Sequence, residues 1–139
     1  MSKPREKWWG YVKNCIRDYP RMCDKLEEAR RRNRDPDGTQ GAAENPKRPT
    51  EREALNRLSA EVFQGRKKIE FDGVRLAVEN TLRLPDGEDR IALLKLIFWS
   101  ANKKTLAGAA MACHVSERTA RRWHSDFIRL TAFYMNLSD

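Results

Sequence analysis

The chain has 139 residues, of which 40% are hydrophobic and 35% charged, and its formal net charge is +8. This composition is too charged for a membrane protein and too apolar for a disordered chain, so it predicts one globular domain or a small domain with an arm. The positive charge indicates a polyanionic partner. It is concentrated at the two ends, because residues 1–50 carry thirteen basic and eight acidic side chains, residues 51–100 nine of each, and residues 101–139 six and three.

No stretch approaches the ~18 consecutive apolar residues that span a bilayer, and residues 1–10 contain no apolar signal core. We therefore expect no membrane partner and a cytoplasmic location. The three cysteines form no CxxC pair, and Cys113 with His114 and His124 is too small a set for zinc, so we expect no metal and no cofactor. No phosphate loop, nucleophile elbow or carboxylate pair is present, so we expect no enzymatic activity.

The first 32 residues are predicted to form an N-terminal helical region, because apolar residues recur every three or four positions from residue 7 to residue 32. Pro20 is expected to divide this region into two helices. Residues 33–49 contain prolines and glycines and only two alanines as apolar content, which predicts a linker that cannot order itself by burial.

Two features near the N-terminus are each open to two interpretations. Trp8, Trp9 and Tyr11 lie among basic residues, which fits a nucleic-acid surface but fits core packing or self-association better. The basic run at residues 30–34 fits a contact with DNA phosphates and equally a solvated helix end.

The remainder, residues 50–139, is predicted to be a helical domain. Thr50 and Glu53 form a capping-box pattern at the start of a helix. Gly65 and Gly73 weaken its continuation, which predicts one bent helix or two in succession, and residues 84–87 should end it. Residues 88–100 are almost continuously apolar and predict the most buried helix. No segment alternates as a strand does, so the expected fold class is all-α.

Residues 105–125 have the pattern of a helix-turn-helix. Ala109 and Ala110 are small where two steeply crossed helices must meet, and apolar residues stand where the motif faces its supporting helices. These apolar residues are Cys113, Val115, Ala120 and Trp123. Ser116 can cap the second helix through its hydroxyl. His114 stands where glycine is common, so it must accept a left-handed backbone.

The second helix of this motif is predicted to read the major groove of DNA. Arg118, Arg121 and Arg122 project from one surface, and the planar fork of arginine suits guanine edges and phosphates. The complete set of predicted DNA-binding residues is Lys103, Lys104, Thr105, Ser116, Glu117, Arg118, Arg121, Arg122, His124 and Ser125. The alternative without DNA binding is an alanine-rich hairpin inside a helical bundle, with its arginines solvated.

Four stretches of the chain carry a resemblance to a known family: WGYVKNCIRDYP at residues 9–20, PTEREAL at 49–55, TLAGAA at 105–110 and SERTARRWHSDFI at 116–128. With them the chain resembles the phage late-gene transcription activators of Gram-positive bacteria, of the RinA and ArpU type. The resemblance implies an N-terminal helical region joined to a domain like region 4 of a sigma factor. It places the DNA-reading helix on residues 116–127, with Arg118, Arg121 and Arg122 as the reading residues.

We therefore expect a sequence-specific DNA-binding transcription regulator that activates a late operon of a phage or prophage in the bacterial host cytoplasm. Its expected partners are double-stranded promoter DNA, host RNA polymerase and, as a homodimer, a second copy of the chain. The alternative from another class is a small terminase subunit or similar DNA-packaging adaptor, which binds DNA and oligomerises into a ring. Assembly size distinguishes the two.

Overall fold

The computed structural model describes residues 7–33 and 51–137, which form six α-helices and no strand, so the predicted all-α class is confirmed for this part of the chain. The helices are α1 (Trp9–Asn33), α2 (Glu51–Val62), α3 (Arg66–Leu82), α4 (Gly87–Leu94), α5 (Leu106–Ala112) and α6 (Glu117–Tyr134). A π-helical turn (Lys95–Trp99) extends α4. The predicted linker, residues 33–49, lies outside the described residues except for Asn33, which ends α1. Thr50, the predicted capping residue, also lies outside them.

Helix α1 runs without a break through Pro20, so the prediction that this proline divides the region into two helices is wrong. Proline has no backbone N–H, so the carbonyl oxygen of Ile16, four residues earlier, loses its usual donor within the helix. The indole Nε1 of Trp99 takes that place and donates to the Ile16 carbonyl at 2.6 Å. The helix continues because its lost hydrogen bond is replaced from another part of the fold.

The first half of α1 packs into the same hydrophobic core as the C-terminal helices. Val12 and Ile16 are fully buried there, together with Val74 of α3, Phe98 of the π-helical turn and Ile128 of α6. Burial of such side chains contributes roughly 1.5–3 kcal/mol each. The N-terminal helix is thus held against α6 by apolar contact.

The helical segment that begins with α2 is interrupted at Gly65. It therefore forms two helices in succession, α2 and α3, which is one of the two predicted alternatives. Gly65 has φ +58°, a left-handed backbone that glycine adopts without a side-chain clash. Gly73 lies inside α3 instead, where a β-carbon would collide with the side chain of Met135. The break also lets Phe63 stack on Phe71, with 4.8 Å between ring centroids, in a second core beneath α1 and α2.

Helix α4 and its π-helical turn form the support on which α5 and α6 lie. Leu93, Leu94 and Phe98 are buried to 1% exposure or less, whereas Leu96 and Trp99 are half-buried, so the expected burial holds for one side of this segment. The backbone N–H of Lys104 donates to the Leu96 carbonyl at 2.9 Å, which fixes the chain just before α5. None of the described helices is both long and apolar enough to cross a membrane.

Candidate nucleic-acid interface

Helices α5 and α6 are each capped by a hydroxyl side chain and joined by a tight turn. Thr105 Oγ1 accepts from the Gly108 N–H, and Ser116 Oγ accepts from the Thr119 N–H, both at 3.0 Å. Each cap satisfies a backbone donor that the first turn of a helix leaves without a partner. Between the helices, His114 has φ +58°, the left-handed conformation expected at this position.

The inner faces of α5 and α6 meet in a small core of their own. Ala109, Ala110 and Ala120 are buried with Trp123 and with Leu93 of α4. Cys113 and Val115 are half-buried and pack against this core. The three alanines allow the helix backbones to approach closely. The small and apolar residues that the sequence analysis selected thus belong to one hydrophobic cluster.

An arginine links α6 to its support. The guanidinium of Arg90 on α4 lies 5.6 Å from the centroid of the Trp123 ring and within 3.5 Å of the Asp126 carboxylate. Its Nε also lies 3.0 Å from Asp86 at the start of α4. These contacts hold one side of α6 against α4.

The solvent side of α6 carries the three arginines predicted to read DNA. Arg118, Arg121 and Arg122 are all exposed, and Arg121 lies 3.4 Å from Glu117 as an i,i+4 ion pair. Ser116, Lys103, Lys104 and Thr105 are exposed as well. Eight of the ten predicted residues, all except His124 and Ser125, are thus accessible to a partner.

His124 and Ser125 are half-buried and differ in what they face. The His124 ring lies parallel to Phe98, with 5.4 Å between ring centroids and 6° between planes, so it packs toward the core side of α6. Ser125 follows Arg118 by seven residues and Arg122 by three, which places it on the arginine side of the helix. Of these two, Ser125 is the better placed for a DNA contact.

Arg129 is a further residue of this face that the sequence analysis did not select. It is exposed, and it follows Arg118, Arg122 and Ser125 at the i+11, i+7 and i+4 spacings of one helix stripe. Its guanidinium lies 5.7 Å from the centroid of the Trp9 ring. The spacing is visible in the sequence, but a motif ending at residue 125 does not show that α6 continues to Tyr134.

The aromatic and basic features of α1 lie apart from this stripe, except for Trp9. Trp9 is 8% exposed and belongs to the core, in agreement with the core-packing interpretation. Tyr11 is half-buried and donates a 2.5 Å hydrogen bond to Glu70. The exposed arginines at residues 30–32 lie ~30 Å along α1 from Trp9, at 1.5 Å rise per residue.

The cysteine thiols of the described residues have raised pKa values. Burial raises the pKa of Cys15 to about 11 and also raises that of Cys113, so both thiols are protonated at neutral pH. No group of three or more His, Cys, Asp or Glu among residues 7–33 and 51–137 is placed to hold a metal ion. Comparison of the chain with protein-family models, curated proteins and solved structures gives no match.

Proposed function

We propose that this protein is a sequence-specific DNA-binding transcription regulator that reads the major groove with α6. The observation that carries the proposal is the two-sided character of this helix. Its inner side is buried through Ala120 and Trp123, while Arg118, Arg121 and Arg122 stand exposed on the other side. A buried support with an exposed arginine face is the arrangement of a recognition helix.

The dimensions and chemistry of α6 suit this role. An α-helix with its side chains is about 10–12 Å across, and the major groove of B-DNA is about 12 Å wide. In the groove, each arginine can donate two hydrogen bonds to the O6 and N7 atoms of a guanine. Lys103, Lys104 and Thr105, at the start of α5, would contact phosphates beside the groove and set the register of the complex.

The resemblance to phage late-gene activators supports a finer proposal. The regulator would act at a late-operon promoter of a phage or prophage, in the cytoplasm of the bacterial host, together with host RNA polymerase. It would bind there as a monomer or a homodimer. The packaging-adaptor alternative would instead require a ring of many subunits, which static light scattering on the purified protein measures directly.

The deciding experiment is footprinting on the genome that encodes the protein, with and without RNA polymerase, using wild type and the double variant Arg121→Ala, Arg122→Ala. We expect promoter footprints for wild type and their loss in the variant, since each base-reading arginine contributes about 1–3 kcal/mol of discrimination. Arg57→Ala removes one exposed charge from α2 and serves as the control. Unchanged promoter affinity in the double variant would refute the proposal, as would footprints confined to packaging sequences.

A further inference from the structure

Beyond the motif itself, we propose that Arg129 is a DNA-phosphate contact and that the Trp9 ring of the N-terminal helix holds it in position. This inference rests on the proposed function, because it extends the DNA-binding face of α6. It assigns α1 a part in DNA binding that goes beyond packing in the core.

The first step of the argument is the length of the arginine stripe. Arg129 lies eleven residues after Arg118, which corresponds to ~16 Å along the helix axis at 1.5 Å per residue. Recognition helices of this kind contact bases with their N-terminal residues, and their C-terminal end can contact the sugar-phosphate backbone. Arg129 is the last arginine of the stripe, so it is placed for a phosphate contact rather than a base contact.

The second step is the contact that restrains this guanidinium. Trp9 is 8% exposed and is fixed in the core with Val12 and Ile128, so its ring is a rigid platform. The Arg129 guanidinium lies 5.7 Å from the ring centroid, within the range of a cation–π contact. A restrained side chain loses less conformational entropy when it binds a phosphate.

The experiment measures the salt dependence of binding to a 30-base-pair duplex of random sequence, by fluorescence anisotropy between 50 and 300 mM NaCl. Each phosphate contact contributes about 0.9 to the slope of log K against log salt concentration. We expect Arg129→Ala to reduce the slope by about that amount, and Arg129→Lys, which keeps the charge, to leave it nearly unchanged. Arg57→Ala on α2 should leave the slope at the wild-type value.

The positioning role of Trp9 is tested in the same assay. We expect Trp9→Phe, which keeps an aromatic ring, to retain the wild-type affinity. Trp9→Leu leaves the charge of Arg129 in place, so it should lower the affinity without changing the slope. Because Trp9 acts through Arg129, Trp9→Leu should have no such effect in the Arg129→Ala background. Thermal unfolding of each variant shows any loss of stability separately. An equal loss of affinity from Trp9→Leu in both backgrounds, or no loss in either, would overturn the positioning role.

Failure of this inference is distinguishable from failure of the proposed function. If Arg129→Ala keeps the wild-type slope while Arg121→Ala with Arg122→Ala loses promoter affinity, the inference is wrong and the proposed function stands. If wild type shows no salt-dependent binding to any duplex, both are wrong.

Discussion

The indole Nε1 of Trp99 donates a 2.6 Å hydrogen bond to the backbone carbonyl oxygen of Ile16. This carbonyl is the one that Pro20 leaves without a donor inside α1, because proline has no N–H. The same ring packs edge-on against Phe127 of α6. Trp99 therefore replaces the missing hydrogen bond of α1 and also contacts α6, the helix that carries the exposed arginines.

Replacement of Trp99 by phenylalanine should destabilise the protein by about 1–3 kcal/mol, because the Ile16 carbonyl is then left without a donor. Phenylalanine keeps an aromatic ring at this position but is smaller than the indole, so lost packing against Phe127 adds to the loss of the hydrogen bond. Urea unfolding followed by circular dichroism measures the effect.

A double-mutant cycle isolates this hydrogen bond. Pro20→Ala restores a backbone N–H that can donate to Ile16, so Trp99→Phe should be less destabilising in the Pro20→Ala background by about 1 kcal/mol. Equal effects of Trp99→Phe in both backgrounds would show that the indole does not replace the missing helix hydrogen bond.

Replacement of Ser116 by alanine should lower the free energy of unfolding by about 1 kcal/mol, because the Thr119 N–H loses its capping acceptor. Ser116→Asp provides another acceptor and should restore most of the stability. Ser125→Ala makes the same chemical change inside α6, away from the cap, and should have little effect. A Ser116→Ala variant as stable as wild type would contradict the capping role.

Replacement of His114 by glycine should stabilise the protein by roughly 0.5–1 kcal/mol, because a left-handed backbone strains any residue with a β-carbon. His114→Val places a β-branched side chain in the same conformation and should destabilise by a similar amount. Thermal unfolding of the two variants beside wild type tests both signs. A lower melting temperature for His114→Gly than for wild type would show that His114 is not strained at this turn.

Replacement of Glu117 by glutamine should raise affinity for a random-sequence duplex about two- to fivefold, because it removes a negative charge from the face that we propose binds DNA. The expected change corresponds to the ~0.5–1 kcal/mol typical of surface charges. Its ion pair with Arg121 is exposed, so stability should change by less than about 1 kcal/mol. Glu61→Gln on α2 is the matched control. Lower affinity in Glu117→Gln would contradict this repulsion.

The stability of the protein should fall as the pH rises from 9 through 11, partly because of Cys15. Burial raises the pKa of this thiol from 9.0 to about 11, so the unfolded chain loses the proton first and alkaline pH favours unfolding. Below pH 9 both states hold the proton and the contribution is constant. Urea unfolding of wild type and Cys15→Ala between pH 8 and 11 should show a shallower decline in the variant. Parallel declines would contradict the raised pKa.

Much of the local structure follows from the sequence through neighbouring residues. The positive φ of Gly65 and His114 and the caps at Thr105 and Ser116 depend on one residue and its next few neighbours along the chain. The helical stripes likewise need only the spacing of apolar residues. For this reason the helix class and most helix ends were predictable.

The sequence by itself determined that the described part of the chain is helical and that its C-terminal helix pair is basic, because periodicity, caps and charge are properties of adjacent residues. Only the tertiary structure decided that α1 passes through Pro20, that His124 stacks on Phe98, and that Arg129 lies on Trp9. These three outcomes depend on contacts between residues far apart in the chain. Their partners are chosen by packing of the whole core, which no local pattern contains.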